Sequence, residues 1–285
     1  MGLWDANSVS AAFTAYPCSM SGQYRCQEGE CSGYPGGPCD AAGCDFNSYR
    51  MGDTTFYGPA KTINTNAKFT VVTQFITNDG TPTGTLVEIR RKYVQNGVTY
   101  QNSKVTIPPP STLYDSITGN FCAAQKNKFG DYNSFTPLGG LAQLGEALRT
   151  GMALVFSIGD DWKGNMLWLD GAYPPDAQPS APGVSRGTCG ASSGYPPDLE
   201  AQVPNASVIF SNIKFGELGS TSPPPTTTTT SRTSTTTSSR TSTTTTSRTS
   251  TTITSRTSTT SRTTTTYAPG ALQPRFAQCG GTGWT

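Results

Sequence analysis

An all-β sandwich followed by an unstructured linker is the fold the chain predicts, on three observations. Segments rich in β-branched and aromatic residues recur through the first 218 residues, Gly- and Pro-rich turns separate them, and only one stretch has a helical period. Lys68 to Thr77 (KFTVVTQFIT) is the first such segment, closed by the turn residues Asn78-Asp79-Gly80. Leu86 to Gln95 and Val98 to Ile107 flank Asn96-Gly97, the pair that suits the positive φ angles of a tight hairpin turn. Ala153 to Ile158, Asn165 to Asp170 and Ser207 to Phe215 read as further strands. The helical period belongs to Leu138 to Arg149, where Leu141, Leu144 and Leu148 share one face.

Composition divides the 285 residues into three parts. Residues 1–218 are expected to be globular. Residues 219–270 are almost entirely Thr, Ser, Pro and Arg, with Arg232, Arg240, Arg248 and Arg256 spaced eight apart in an imperfect repeat. Such a stretch has no apolar surface to bury and stays extended, which reads as an O-glycosylated stalk or as a low-complexity tail. Residues 271–285 form a short terminal piece.

The formal charge of +2 hides an asymmetry: all 18 acidic residues lie at or before Glu217. Up to Gly219 they face 14 Lys and Arg, a net of −4, so the basic excess belongs to the stalk and tail. A mildly acidic domain excludes nucleic acid as a partner. No apolar run approaches the roughly 20 residues that cross a bilayer, which excludes a membrane span. Residues 1–20 lack the basic start and apolar core of a signal peptide.

Eight cysteines, five of them between Cys18 and Cys44, nevertheless point to an oxidising compartment. The short spacings of Cys26, Cys31, Cys39 and Cys44 also raise a zinc site. With no His and no clean CxxC pair in the chain, no metal and no cofactor is expected. Asn205-Ala-Ser207 is an N-glycosylation sequon.

Four separated motifs carry a family resemblance. They are GLWDANSVSAA from Gly2, GCDFNSYRMGDTTFYGP from Gly43 to Pro59, DDWKGNMLWLD from Asp160 to Asp170, and PNASVIFSNIKFG from Pro204 to Gly216. In this order they resemble the fungal family 7 cellulases, over Met1 to about Gly216. The resemblance implies a concanavalin-like β-sandwich, or jelly roll, holding about the C-terminal half of a catalytic domain. It further implies retaining hydrolysis of β-1,4-glucosidic bonds in cellulose, of the chain-end-processive cellobiohydrolase type.

That reaction needs one carboxylate to attack the anomeric carbon and a second, protonated, to release the leaving oxygen, about 5 to 5.5 Å away. The family's E-M-D-x-W-E-A-N strand supplies both, since residues two apart share a face and a bulge lets the last acid join them. Here Met1 stands at the family's Met and Gly2 at its middle Asp. Asp5 stands at the acid/base Glu, and the nucleophile Glu would lie one residue upstream of Met1. The chain therefore reads as cut at its start, its signal peptide lost with an N-terminal half, and as inactive in hydrolysis. Taken alone, Asp5 also reads as a surface acid at a strand end.

Other positions carry over unevenly. Trp168 matches an aromatic that stacks on a glucose ring, although by itself it reads more simply as a core residue, and Arg186 matches a product-site arginine. Gly159 stands at a second stacking Trp, for which the nearby Trp162 could substitute. Tyr16 replaces a groove His, and Ala42 an acidic residue of the product-site loop. These departures beside a kept scaffold read as an eroding gene copy.

The resemblance also implies the pairs Cys18–Cys39, Cys26–Cys31 and Cys44–Cys122, leaving Cys189 and Cys279 without partners. The last ten residues, from Phe276 through Cys279 to Trp284 and Thr285, resemble the opening of the small fungal cellulose-binding module, which depends on disulfides for stability. The implied parent is a secreted, extracellular, monomeric enzyme acting on cellulose. Two alternatives remain open: a non-catalytic carbohydrate-binding protein on a lectin-like sandwich, and a wall protein in which the stalk is the working part.

Overall fold

The structure, a computed structural model, describes residues 1–20, 22–27, 30–31, 37–107 and 112–221. The expected stalk beyond residue 221 and the expected module at 271–285, with Phe276, Cys279 and Trp284, lie outside the described residues.

Two antiparallel sheets face each other. The first has the order β1 (Gly2–Ala6), β2 (Ala11–Ala15), β3 (Cys44–Asn47), with β2 and β3 wholly buried. The second is built on β7 (Leu86–Gln95), flanked by β6 (Thr70–Thr77), β8 (Val98–Gln101) and β11 (Ser116–Thr118). Two small pairs complete the strands: β4 (Tyr57–Gly58) runs parallel to β5 (Ile63–Asn64), and β9 (Val105–Ile107) antiparallel to β10 (Thr112–Tyr114).

Alternation along β7 makes the interface. Ile89, Arg91 and Tyr93 are buried on one face. Ile89 joins Phe13, Phe46, Ile117 and Phe121 in the larger core, where the Phe46 ring stacks on both Phe13 and Phe121. Tyr93 joins Phe56, Tyr57 and Ile63 in the smaller one. Arg91, 0% exposed, ties the sheets together: its guanidinium sits 4.6 Å from the Phe13 ring centroid and donates to the carbonyl oxygen of Leu3.

The Asn96-Gly97 turn forms as its residue types require, with φ of 53° and 76°. The expected Val98–Ile107 strand breaks, because Asn102 and Ser103 turn inward. Asn102 donates to the carbonyl oxygen of Asp115, and Ser103 to the Ser48 hydroxyl. Helix α2 (Gly140–Thr150) forms where the leucine period places it and packs on β7.

Helix α1 (Gly119–Phe129) has no apolar period and is set by its ends. The Thr118 hydroxyl accepts from Phe121 N at 3.2 Å, and Gly130 closes the helix in the left-handed region at φ 70°. Cys44–Cys122 pins it to β3, and Cys18–Cys39 and Cys26–Cys31 close shorter loops.

Three expected strands do not form. Asn165–Asp170 is instead the single-turn helix α3 (Leu167–Asp170), entered through left-handed Asn165 and Met166. A short apolar run has the same pattern in either state, and here the turn before it decides. Ala153–Ile158 and Ser207–Phe215 have no ladder partner among the described residues, and Leu154, Ile209 and Phe215 stand exposed. Strand-forming residues need a neighbouring backbone to satisfy their N–H and C=O groups, and without one the pattern alone makes no strand. The last helix, α4 (Pro196–Gln202), begins with proline at its first position.

Candidate functional site

Asp5 lies half-buried on β1. Residues three apart on a regular strand point to opposite faces, but the register slips between Gly2, opposite Thr14, and Asp5, opposite Ala12. The slip turns the Asp5 carboxylate back over Gly2, so that a Cβ on Gly2 would collide with Asp5 Oδ2. Burial raises the Asp5 carboxyl above its usual range, against the pull of the Met1 amino group and of Arg91. Tyr16, at the end of β2, covers Gly43 with its ring, and burial pushes its hydroxyl up to about 12.

Trp168 and Arg186 are in direct contact. Arg186 Nη1 donates to the carbonyl oxygen of Trp168 at 3.3 Å, while Trp168 Nε1 donates to Asp161 Oδ2 at 3.0 Å. The Arg186 backbone is fixed on both sides: its N–H donates to Gly171 O, and its carbonyl accepts from Ser10 Oγ and Asn47 Nδ2. Its guanidinium lies 5.5 Å from the Tyr173 ring centroid. Burial lowers its pKa, as does neighbouring Arg50, against the opposing pull of Asp45 and Asp131.

Just past β1, Asn7 reaches the short helix that carries Trp168: its Nδ2 donates to Asp170 Oδ2 at 2.5 Å across 163 residues of sequence. Asp170 also accepts from the Cys189 thiol, and burial raises the Asp170 carboxyl. Burial, followed by the Asp170 charge, pushes the Cys189 thiol up to about 11. Beneath the site Arg50 binds Asp45 at 2.6 Å and Asp131 at 2.7 Å, donates from Nε to Gly183 O at 3.0 Å, and lies 4.5 Å from the Phe129 ring centroid.

The sequence reading did not single out Asn7, Asp45, Arg50, Arg91 or Asp170. All but Arg91 lie inside the motifs that carry the family resemblance, Asn7 in GLWDANSVSAA, Asp45 and Arg50 in GCDFNSYRMGDTTFYGP and Asp170 in DDWKGNMLWLD, but pairing across the domain leaves no local pattern.

Gly159 lies exposed in a segment without regular structure, and Trp162, three residues on, is 62% exposed. Ala42 is exposed in the bend before Gly43, and Asn205 is exposed in a turn. Among the described residues no group of three or more His, Cys, Asp and Glu is placed to hold a metal, and no helix is long and apolar enough to cross a membrane.

Two packed antiparallel sheets, with an acid on edge strand β1 and a hydrogen-bonded Trp168–Arg186 pair, define a β-sandwich protein. Residues 1–222 match the family described as Glycosyl hydrolase family 7. The chain belongs to this family of glycoside hydrolases.

Solved structures agree. A family 7 cellobiohydrolase from Daphnia pulex is 51% identical at a TM-score of 0.69, over 72% of this chain and 47% of that one. A cellobiohydrolase from Melanocarpus albomyces, complexed with cellotetraose, is 38% identical at 0.62, over 72% and 46%. The Humicola insolens endocellulase Cel7B is 32% identical at 0.59, over 71% and 46%. The chain thus spans about half the length of these relatives.

Proposed function

We propose that residues 1–218 form the glucan-binding side of a cellobiohydrolase-like site for retaining hydrolysis of cellulose, and that these 285 residues hold β-1,4-glucan without cleaving it. The observation that carries this reading is the fixed Trp168–Arg186 unit. The Arg186 guanidinium, a donor suited to sugar hydroxyls, holds the main chain of Trp168, an aromatic suited to stacking, and Asn7, just past β1, reaches the same short helix at Asp170. The Melanocarpus albomyces relative holds cellotetraose, which supports a β-1,4-glucan chain as ligand.

Asp5 takes the acid/base position, and burial gives it the raised pKa that a proton donor needs. Two features oppose turnover. Its side chain is one methylene shorter than Glu, and a displacement of about 1 Å costs on the order of a hundredfold in rate. It also folds over Gly2. The alternative is a carbohydrate-binding protein in its own right, on a lectin-like sandwich, rather than part of a hydrolase site.

The rest of the architecture belongs to this proposal: an O-glycosylated stalk over 219–270, the opening of a cellulose-binding module at 271–285, N-glycosylation at exposed Asn205, secretion and a monomeric state. The three disulfides support an oxidising destination.

Cellulose pull-down and hydrolysis of a chromogenic cellobioside test the reading together. The expected outcome is retention on cellulose, weakened about tenfold by Trp168→Ala, a loss of about 1.4 kcal/mol, with no aglycone release above a buffer blank. No retention refutes glucan binding, and aglycone release refutes the claim of inactivity.

A further inference from the structure

Trp162 and Tyr195 stand out among the exposed aromatic residues. Trp162 is 62% exposed and Tyr195 46%, and their rings meet edge to face with centroids 6.5 Å apart and planes at 69°. Large aromatic surface left in water in a polar setting marks a binding face more often than a scattered surface residue does. Neither residue packs into either core cluster.

Both are held stiffly. Asp161 accepts the backbone N–H of Lys163 at 2.9 Å through Oδ1, and its carbonyl accepts from Asn165 N at 2.9 Å, which locks the turn carrying Trp162. Tyr195 precedes α4 and its carbonyl oxygen takes the N–H groups of Asp198 and Leu199, both at 3.1 Å. Gly194, at φ 77°, lies so close to the carbonyl oxygen of Asn165 that a Cβ would collide with it, so the two aromatic segments are packed backbone to backbone. A preset aromatic pair loses little side-chain entropy when a ring lands on it.

The turn is also bonded to Trp168. The same Asp161 carboxylate that caps it accepts from Trp168 Nε1 at 3.0 Å.

We infer that Trp162 and Tyr195 form an additional sugar platform, on which a pyranose ring of the β-1,4-glucan chain held at Trp168 stacks by its apolar face. The inference rests on the glucan-binding reading above. It assigns the stacking surface to Trp162, with Tyr195 as its brace.

Affinity electrophoresis of the full 285-residue chain in native gels cast with hydroxyethylcellulose tests it. Trp162→Ala is expected to weaken binding about five- to tenfold and Tyr195→Ala about threefold, in the range of single aromatic contacts. Trp162→Phe is expected to keep most of the affinity. Melting temperatures should not move, because both side chains are exposed. If the unsubstituted chain is retarded and Trp168→Ala weakens it while Trp162→Ala does not, the platform is refuted and the glucan-binding reading stands. Equal losses in Trp162→Ala and Trp162→Phe refute stacking as the contact. If the unsubstituted chain is not retarded at all, both readings fall.

Discussion

Replacing Arg50 by Met tests how the site is held up. Arg50 is 3% exposed at its side chain, and its three anchors are Asp45, 13% exposed, Asp131, 30% exposed, and the carbonyl of Gly183. Met keeps much of the volume and the contact with Phe129 but removes the charge and every donor. Asp131 reaches water and loses little. Asp45 does not: it is left as a buried carboxylate with Gln125 and the more distant Arg186 and Lys126 charges for compensation. Breaking a buried pair in this way costs about 3–5 kcal/mol, and the Gly183 carbonyl loses a hydrogen bond worth about 1 kcal/mol within that range.

The pH dependence gives the test a sign. In the folded protein burial works against ionisation of Asp45, but Arg50, Arg186 and Lys126 more than offset it and hold the carboxyl below its ordinary value of 3.8. Its contribution is therefore present above that value and fades as pH falls through the lower folded pKa. Without Arg50 the burial contribution is less opposed, and the carboxyl takes a proton at higher pH. Urea unfolding of the variant should show its full deficit at pH 7 and a smaller one near pH 4. A deficit under about 1 kcal/mol at pH 7, or one that does not shrink with acid, refutes the buried-pair account.

Removing the disulfide in Cys44→Ala/Cys122→Ala opens a loop of 78 residues. The chain-entropy relation then predicts a loss of about 4.5 kcal/mol in the same unfolding assay. With Cys279→Ser in the background, Cys189 should react slowly with a disulfide reagent at pH 8, since a thiol pushed from 9.0 to about 11 carries about a hundredfold less thiolate. Asp170→Asn, which removes the neighbouring charge, should speed that reaction. Gly2→Ala should drive the Asp5 carboxylate out from over the strand, and an NMR carboxyl titration should then find its pKa lower than in the unsubstituted chain. Because burial raises that pKa, Asp5 disfavours the folded state increasingly as pH rises from its unfolded to its folded value, and Gly2→Ala should flatten this part of the stability profile.

Strands β6 and β7, the Asn96-Gly97 turn and helix α2 were legible because each carries its own signal: β-branched and aromatic content, a turn pair, a leucine period. Helix α1 was not, because its pattern lies in two end residues, Thr118 and Gly130, rather than along its length. Leu167–Asp170 misled because left-handed Asn165 and Met166, which turn the chain into a helix, have no consistent mark in sequence. Ala153–Ile158 and Ser207–Phe215 read as strands on composition, and composition does not say whether a neighbouring strand is there to pair with. The site divides in the same way. Asp5, Trp168 and Arg186 could be picked out by family resemblance, whereas Asn7–Asp170 and the Arg91 bridge are made by folding.

Gly2 and Asp5 are one structural unit rather than two independent positions. A side chain at position 2 and the Asp5 carboxylate compete for the same space, because the bulge that puts both on one face also brings Asp5 Oδ2 to where a Cβ would stand. The glycine makes room, the shorter acid swings into it, and burial there raises the carboxyl pKa. Placing Asp at position 2 alone would set two carboxylates against each other in a half-buried site, which raises the pKa of one of them further and displaces the other. Placing Glu at position 5 alone would drive a longer side chain into the same gap or out from the strand. The two substitutions must therefore be non-additive in any property that reports on this strand, and a double-mutant cycle read by carboxyl titration should return a coupling well outside the additive limit of about 0.5 kcal/mol.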